Sequence, residues 1–486
     1  MIEACRQLGL PIVRWPGGNF TSPYHWEDGT GPRDERPRRL ELAWGSEESN
    51  RFGTPEFLAW CDAVGTVPYL HHGARNVDDA VRWVEYANSA GDTTYTRRRA
   101  ADGHPAPYGV RYWGIGNEVW GEWQMGRRSA ERYVEDAREH ARFMRLVDPS
   151  LTLVAVGRET EDWLEPVVAG LGESVDLFSI HMYAVSRHLT TPTRDEFDRI
   201  VAQSLYFEQT LMDTAENISR VLAERHIDRP ISIAMDEWNI RHVEPDTWPE
   251  PMPGSDGGVG PRDLDSAAAE AAGERVNRYS PRTLADALFY AGVFHAMHRT
   301  SRLDVPVTMA NTVNLVNANG LLSVREDAVV RTATYHVWDL YQNHTGPHAL
   351  ECRVTAPSST VSLRLGTEIR RASGELRTRP AVMSHLDVSP SLSADGSVLH
   401  VAVINRSATD DVRADLRLGG APLPRHATMR QIGAGEADLF ATNSVTRPDR
   451  VALSAPRTVE VTDGAYMFPA HSITLLDFDL EPKELP

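Results

Sequence analysis

The stretch that most constrains the fold is Arg111–Gly126, RYWGIGNEVWGEWQMG. An apolar run from Tyr112 to Ile115 ends abruptly in Gly116, Asn117 and Glu118. A buried parallel strand reads this way when it ends by presenting polar groups to a cleft. Tyr112 and Trp113 precede the pair Asn117–Glu118, and Trp120 and Trp123 follow it. A carboxylate beside an amide and among aromatic rings suits a sugar site, since flat rings stack on apolar sugar faces while polar tips orient hydroxyls. Cutting a glycosidic bond normally needs a second carboxyl group across that bond. Glu237 supplies one in ISIAMDEWN (Ile231–Asn239), again at the end of an apolar run.

Around these two runs the chain alternates strand and helix. The pattern predicts strands over Pro11–Gly18, Thr66–His72, Arg111–Glu118, Leu151–Val156, Val175–Tyr183, Ile231–Asn239 and Val305–Asn314. Helices are expected over residues 1–10, Pro55–Val64, Val77–Ser89, Ala130–Val147, within Gln203–Arg225, and over Leu284–His298 and Arg331–Gln342. In the helix after Glu118, Ser129 is placed to cap, and Val134, Ala137, Ala141 and Met144 form one apolar stripe. Asn19 to Arg39 is too long for a plain connection and reads as a binding loop. Residues 241–263 hold five prolines and four glycines and read as an irregular lid or connection.

Such alternation argues a parallel sheet, and its length suits a (β/α)8 TIM barrel. Seven strands are legible rather than eight, and the chain opens in a helix that should follow a strand. If the missing strand is the first, Glu118 ends strand four and Glu237 strand seven, and both converge over the C-terminal mouth. The chain as given is then expected to be incomplete, with a slot between Pro11–Gly18 and Val305–Asn314. After about residue 346 short alternating runs replace helical periodicity: Ala381–Val388, Val398–Ile404, Asp411–Leu418 and Ser472–Phe478. They predict an antiparallel β-sandwich, dividing the chain into a barrel over 1–345 and a sandwich over 346–486.

The net charge of -18 argues against nucleic acid or an anionic membrane as partner. Three widely spaced cysteines, Cys5, Cys61 and Cys352, form neither a disulfide framework nor a zinc motif. No apolar stretch is long enough to span a bilayer, and no signal peptide is visible at the start, so a cytoplasmic location is expected. The basic charge is nearly all arginine, with Lys483 the single lysine, which excludes a catalytic lysine in the body of the chain.

Taken together, RWPGGNF (Arg14–Phe20), YHWEDGTGPRDERPRRLELAW (Tyr24–Trp44), WGIGNEVWGEWQMG, SIHMY (Ser179–Tyr183) and DEWN (Asp236–Asn239) make the chain resemble an α-L-arabinofuranosidase of glycoside hydrolase family 51. The resemblance covers essentially the whole chain. It implies a retaining, exo-acting enzyme that removes terminal α-L-arabinofuranosyl units from arabino-oligosaccharides or arabinoxylan fragments, with no cofactor and no metal. It makes Glu118 the general acid/base and Glu237 the nucleophile, with Arg14 bonded to the nucleophile. Asn19, Asn117 and Tyr183 match positions near the sugar, and Trp44 an aromatic wall; His181, in SIHMY, reads as a supporting hydrogen-bonding residue of the substrate site rather than a metal ligand. Asn311 stands where many relatives carry a glutamine. Relatives usually begin earlier, with a first strand bearing a substrate-binding glutamate, and are often hexamers.

Blander readings stand beside these. Glu118 and Glu237 could be ordinary strand-end carboxylates, Arg14 a structural ion pair, and Trp120 and Trp123 plain core. The pair His71-His72 suggests a metal, but adjacent strand residues point to opposite faces and no further ligand set accompanies them. Two other functions compete: another retaining glycosidase, such as a β-xylosidase or endo-glucanase, and a non-catalytic carbohydrate-binding protein. Retention of both glutamates argues against the last.

Overall fold

A computed structural model of the chain describes residues 1–187, 193–245, 274–277, 280–365 and 377–480. Seven parallel strands form one sheet in chain order: β1 (Ile12–Trp15), β2 (Val67–His72), β3 (Tyr112–Ile115), β4 (Thr152–Val156), β5 (Leu177–Arg187), β6 (Ser232–Pro245) and β7 (Val307–Thr312). Each strand contributes one side chain to a central plug, namely Ile12, Tyr69, Tyr112, Val154, Leu177, Ala234 and Met309. Interior side chains filling a curled sheet in this way are the packed core of a barrel. The ladder between β1 and β7 is absent among the described residues, so the barrel is nearly closed, with a seam where the sequence placed a slot. Asn311 spans that seam, its Nδ2 donating to the Ile12 carbonyl at 3.4 Å.

Because strand side chains alternate, residues two positions beyond the plug also face inward. Those residues include Arg14, His71, Gly114, Asp236 and Asn311, so polar groups crowd the strands' C-terminal ends. The strands expected over Val175–Tyr183 and Ile231–Asn239 both run longer, β5 to Arg187 and β6 to Pro245, rising together above the barrel. Residues 241–245 therefore belong to a strand, and the rest of the expected irregular segment, 246–263, lies outside the described residues.

Helices Thr54–Val64, Val77–Asn88, Ala130–Val147, Arg194–Glu224, Leu284–Thr300 and Ala333–His344 lie where periodicity put them, within a few residues except that Arg194–Glu224 starts earlier. Ser129 caps Ala130–Val147 as expected, accepting from the Arg132 N–H. Two helices have no counterpart in the sequence reading: Thr94–Ala101 and Glu161–Leu171, the second broken in pattern by Pro166.

After Ala333–His344 the chain is antiparallel. Six strands pair in the order His348–Ala349, Leu386–Leu392, Val398–Asn405, Ser472–Asp479, His426–Ile432 and Arg457–Glu460. The expected run Ala381–Val388 is two strands, corrected here: Arg377–Ser384 pairs with Ser358–Leu365, while Leu386–Leu392 joins the large sheet. Alternation assigns the faces of that sheet. Leu399, Val401, Val403, Leu476 and Phe478 pack against the small pair Val412–Asp415 and Ala465–Phe468. Ala402, Ile404, Ile473 and Leu475 instead join the core shared with the barrel helices.

Candidate active site

Glu118 and Glu237 meet over the mouth of the barrel, Glu118 at 9% and Glu237 at 6% exposure. Glu118 sits just past β3 with φ 42°, a left-handed conformation that non-glycine residues adopt at a cost of about 1–3 kcal/mol and that clusters at functional sites. Gly18 packs against the second glutamate: its φ of 61° and ψ of -163° are open in practice to glycine alone, and a Cβ there would lie 3.9 Å from Glu237 Oε1.

In a regular strand Asp236 and Glu237 would face opposite sides. Here the β5–β6 register slips between Ser179 and His181, setting three residues of β6 against two of β5. This bulge turns both carboxylates into the mouth, as bulges beside active sites do. His181 lies between them. Its Nδ1 is 2.9 Å from Glu118 Oε1 and 3.6 Å from Glu237 Oε2, and its Nε2 is 3.2 Å from Asp236 Oδ1. Burial pushes the imidazole toward neutrality, but Glu237, Asp236 and Glu118 prevail and hold its pKa up at about 10.

Arg14 spans the floor. It donates to Glu237 Oε1 at 2.8 Å and to the Asn117 Oδ1, and its Nε lies 3.5 Å from Asp236 Oδ2 and bonds His71 Nδ1. His71 Nε2 in turn donates to the Gly116 carbonyl at 2.6 Å, which fixes its tautomer. Gly114 makes room for that ring, since a Cβ there would fall 2.5 Å from His71 Cδ2. Tyr183 donates to Glu237 Oε2 at 2.6 Å, and Tyr69 to Asp236 Oδ2 at 3.0 Å. Burial would raise the Glu237 pKa, yet His181, Arg14 and the Tyr183 hydroxyl hold it down at about 2. Glu237 is thus an ionised, donor-surrounded carboxylate. Glu118 differs: Trp123 Nε1 donates to its Oε2 at 3.0 Å, and His181 contacts its other oxygen.

Oxygens of the two glutamates and a His181 nitrogen lie within 4.8 Å of one another. Among the described residues this trio is the grouping that could hold a metal; its members already satisfy one another by charge and hydrogen bonds. The pair His71-His72 splits as strand alternation requires, His72 turning outward to Asp79 at 2.9 Å.

Of the residues singled out in sequence, Arg14, Asn117, Glu118, His181, Tyr183 and Glu237 converge. Asn117 Nδ2 is buried without a hydrogen-bond partner beside this cluster. Asn19 starts the turn after β1, its carbonyl 3.4 Å from Gln124 Nε2. Trp44 is half-buried on the loop after β1, where Glu41 accepts its backbone N–H at 2.7 Å. Asn311 reaches the seam rather than the glutamates. Sequence reading missed Asp236, Tyr69 and His71 as parts of the site and left Trp123 open. Their signals were adjacency to Glu237 for Asp236 and a strand-end position for His71; Tyr69 carried none.

Residues 4–200 match the family model of the alpha-L-arabinofuranosidase 1 domain, and residues 236–472 that of the alpha-L-arabinofuranosidase C-terminal domain. The chain belongs to the α-L-arabinofuranosidases of glycoside hydrolase family 51. Among its relatives in this family, a probable alpha-L-arabinofuranosidase C of Aspergillus clavatus is 33% identical over 99% of this chain and 88% of its own length. An intracellular exo-alpha-(1->5)-L-arabinofuranosidase of Streptomyces lividans is 28% identical over 96% of this chain and 65% of its own. The crystal structure of the Thermotoga maritima alpha-L-arabinofuranosidase in complex with arabinose superposes with a TM-score of 0.81 at 31% identity, covering 99% of this chain and 89% of that one. The family's barrel and C-terminal antiparallel domain are those described above.

Proposed function

We propose that this chain releases terminal α-L-arabinofuranosyl units from arabino-oligosaccharides or arabinoxylan fragments by double displacement with retention. The observation that carries the reading is the pair of glutamates, with oxygens within 4.8 Å in unlike surroundings. Retaining pairs stand about 5–5.5 Å apart, leaving no room for the water that an inverting pair holds. Glu237, ionised, attacks the anomeric carbon. The departing oxygen takes the proton of Glu118, and a glycosyl ester forms on Glu237. Glu118, now a carboxylate, removes a proton from water, which attacks the same carbon and frees the sugar. His181, 2.9 Å from Glu118, is close enough to exchange a proton with it. In this reading Arg14 and Tyr183 steady Glu237, Asn117 Nδ2 offers a donor to a sugar hydroxyl, and Asn19, Trp44 and Asn311 line the pocket more peripherally.

The names of the relatives point to arabinose-containing substrates, and that of the Streptomyces enzyme to an intracellular setting; we extend both to this chain, with a homo-oligomer, a hexamer by resemblance, as its working form. No described helix is long and apolar enough to cross a membrane. A barrel over 1–345 and a sandwich over 346–486 is the division we adopt.

A panel of nitrophenyl glycosides tests the activity, with α-L-arabinofuranoside expected to be cleaved fastest and preference for β-xylopyranoside refuting it. For the roles, Glu237→Ala should be inactive and regain turnover with azide, yielding the inverted glycosyl azide, because the small anion fills the nucleophile's place. Azide rescue with inversion in Glu118→Ala instead would reverse the assignment.

A further inference from the structure

Tyr183 is tied to Glu237 through its hydroxyl, and Arg241 stacks its guanidinium 3.8 Å from the ring centroid. By this point β5 has already lost a neighbour: its ladder with β4 ends at Val156–Ser179, four residues before Tyr183, while β5 continues to Arg187. A strand that outruns its neighbour leaves backbone groups in need of other partners. One partner comes from far along the chain. Arg364, on the strand Ser358–Leu365 beyond the barrel's last helix, donates through Nη1 to the Val185 carbonyl at 2.8 Å. The same guanidinium grips Glu196 with both arms, at 2.7 and 2.8 Å. Ser186 Oγ adds a 3.0 Å bond to Glu196 Oε1. Arg364 and Glu196 are each 5% exposed.

We infer that Arg364, acting with Glu196, is a positioning residue of the active site: the segment following the barrel clamps β5 at Val185 and so holds the Tyr183 hydroxyl on Glu237. A bidentate guanidinium fixes direction as well as distance, which a lone ammonium does not. The inference rests on the reading of Glu237 as nucleophile only for its kinetic consequence; the clamp itself acts on Tyr183. The charged and titratable groups facing Glu237 are Arg14 from β1, Glu118 after β3, His181 and Tyr183 from β5, and its neighbour Asp236, with Tyr69 and His71 from β2 behind them. Facing the clamp's Glu196 are Ser186 from β5, Arg199, whose Nη1 is 3.6 Å away, and the buried His242 from β6. Of all these, the clamp touches the strand carrying His181 and Tyr183.

Steady-state kinetics against pH test this with Arg364→Met, Arg364→Lys, Tyr183→Phe and the double variant Tyr183→Phe/Arg364→Met. Arg364→Met should lower kcat about tenfold with KM changed less than about twofold, since the lost contact supports the transition state rather than binding. It should also move the acidic limb of kcat/KM upward by about half a pH unit, because Glu237 loses part of a stabilising donor. Arg364→Lys should recover only part of both effects. In the Tyr183→Phe background Arg364→Met should add nothing to either, because the hydroxyl it served is gone. Wild-type kcat and limb in folded Arg364→Lys or Arg364→Met overturn the clamp, as do equal losses with and without the Tyr183 hydroxyl. Should Arg364→Met fail to fold, Arg364→Lys alone and in the Tyr183→Phe background gives the same decision. Failure of azide rescue in Glu237→Ala would remove the nucleophile reading while leaving the non-additivity with Tyr183 as a separate result.

Discussion

Asp236 and Glu237 are neighbours in sequence with different tasks, and their environments separate them. Asp236, 1% exposed, accepts from Tyr69 and faces Arg14 and His181; Glu237 faces the cleft and takes Tyr183 and the other arm of Arg14. Between them His181 holds a charge that the site needs and bulk water would not maintain at high pH. This gives a stability prediction with opposite signs at the two ends of the pH scale. Glu237, ordinarily ~4.3, is held down at about 2, so its contribution is present above ~4.3 and is lost as pH falls toward about 2. His181, ordinarily ~6.5, is held up at about 10, so its contribution is complete below ~6.5 and fades as pH rises through about 10. The urea midpoint of the wild type should therefore fall between those limits on the alkaline side. His181→Asn should be less stable at neutral pH and lack that alkaline slope. Equal alkaline losses in both proteins would show that His181 is neutral in the folded state.

Elements were legible wherever one period ran long enough. Tyr112–Ile115 announced a strand and its polar end announced Glu118, because apolar residues buried on both faces leave no ambiguity about where burial stops. The bulge at Asp236 is not legible in the sequence, since plain strand alternation would set Asp236 opposite Glu237. The upper parts of β5 and β6 were missed as well, since beyond Tyr183 and Asn239 their pairing is with each other and with Glu274–Asn277, a tertiary fact. Glu161–Leu171 escaped because Pro166 and Gly170 interrupt its pattern, although Trp163, Leu164, Val167, Val168 and Leu171 are all buried. Helix Leu284–Thr300 is the contrary case, buried on nearly every side between barrel and sheet although it carries Asp286, His295 and Arg299. Its Gly292 marks a close crossing with Arg194–Glu224: a Cβ there would lie 2.5 Å from Ser204 Oγ and 2.6 Å from Ser204 Cβ. Alanine is the better helix former by about 1 kcal/mol, yet overpacking costs about 1–3 kcal/mol, so Gly292→Ala should destabilise. Adding Ser204→Gly should restore much of the loss in chemical denaturation. A Gly292→Ala protein at least as stable as wild type would mean that the helices part without cost.

At the scale of the whole molecule, a buried charge cluster joins barrel helices to sheet. Asp387, on the strand Leu386–Leu392, accepts from Arg299 at 2.9 Å and from Arg406, with His295 Nδ1 at 3.3 Å. Arg299 also grips Glu208 of the helix Arg194–Glu224, its Nη2 2.7 Å from Oε2, and Arg406 reaches Ser204 at 3.2 Å. Burial would raise the Asp387 pKa, but Arg406, His295 and Arg299 drive it well below the ordinary carboxylate range. The carboxylate is thus common counter-charge to two arginines from different parts of the chain. Removing one partner of a buried pair leaves the other uncompensated, typically at about 3–5 kcal/mol. Asp387→Ala should lose stability of that order, and the loss should depend only weakly on salt, because Asp387 and Arg406 are shielded from solvent ions even though Arg299 and Glu208 reach the surface. Since the large sheet also shares an apolar core with Leu284–Thr300 through Ala402, Ile404, Ile473 and Leu475, barrel and sheet should melt together in the wild type. Calorimetry should show one transition for the wild type and a lower, or divided, one for Asp387→Ala. Two well-separated wild-type transitions, with Asp387→Ala leaving both in place, would mean that the cluster and the shared core do not couple the two parts.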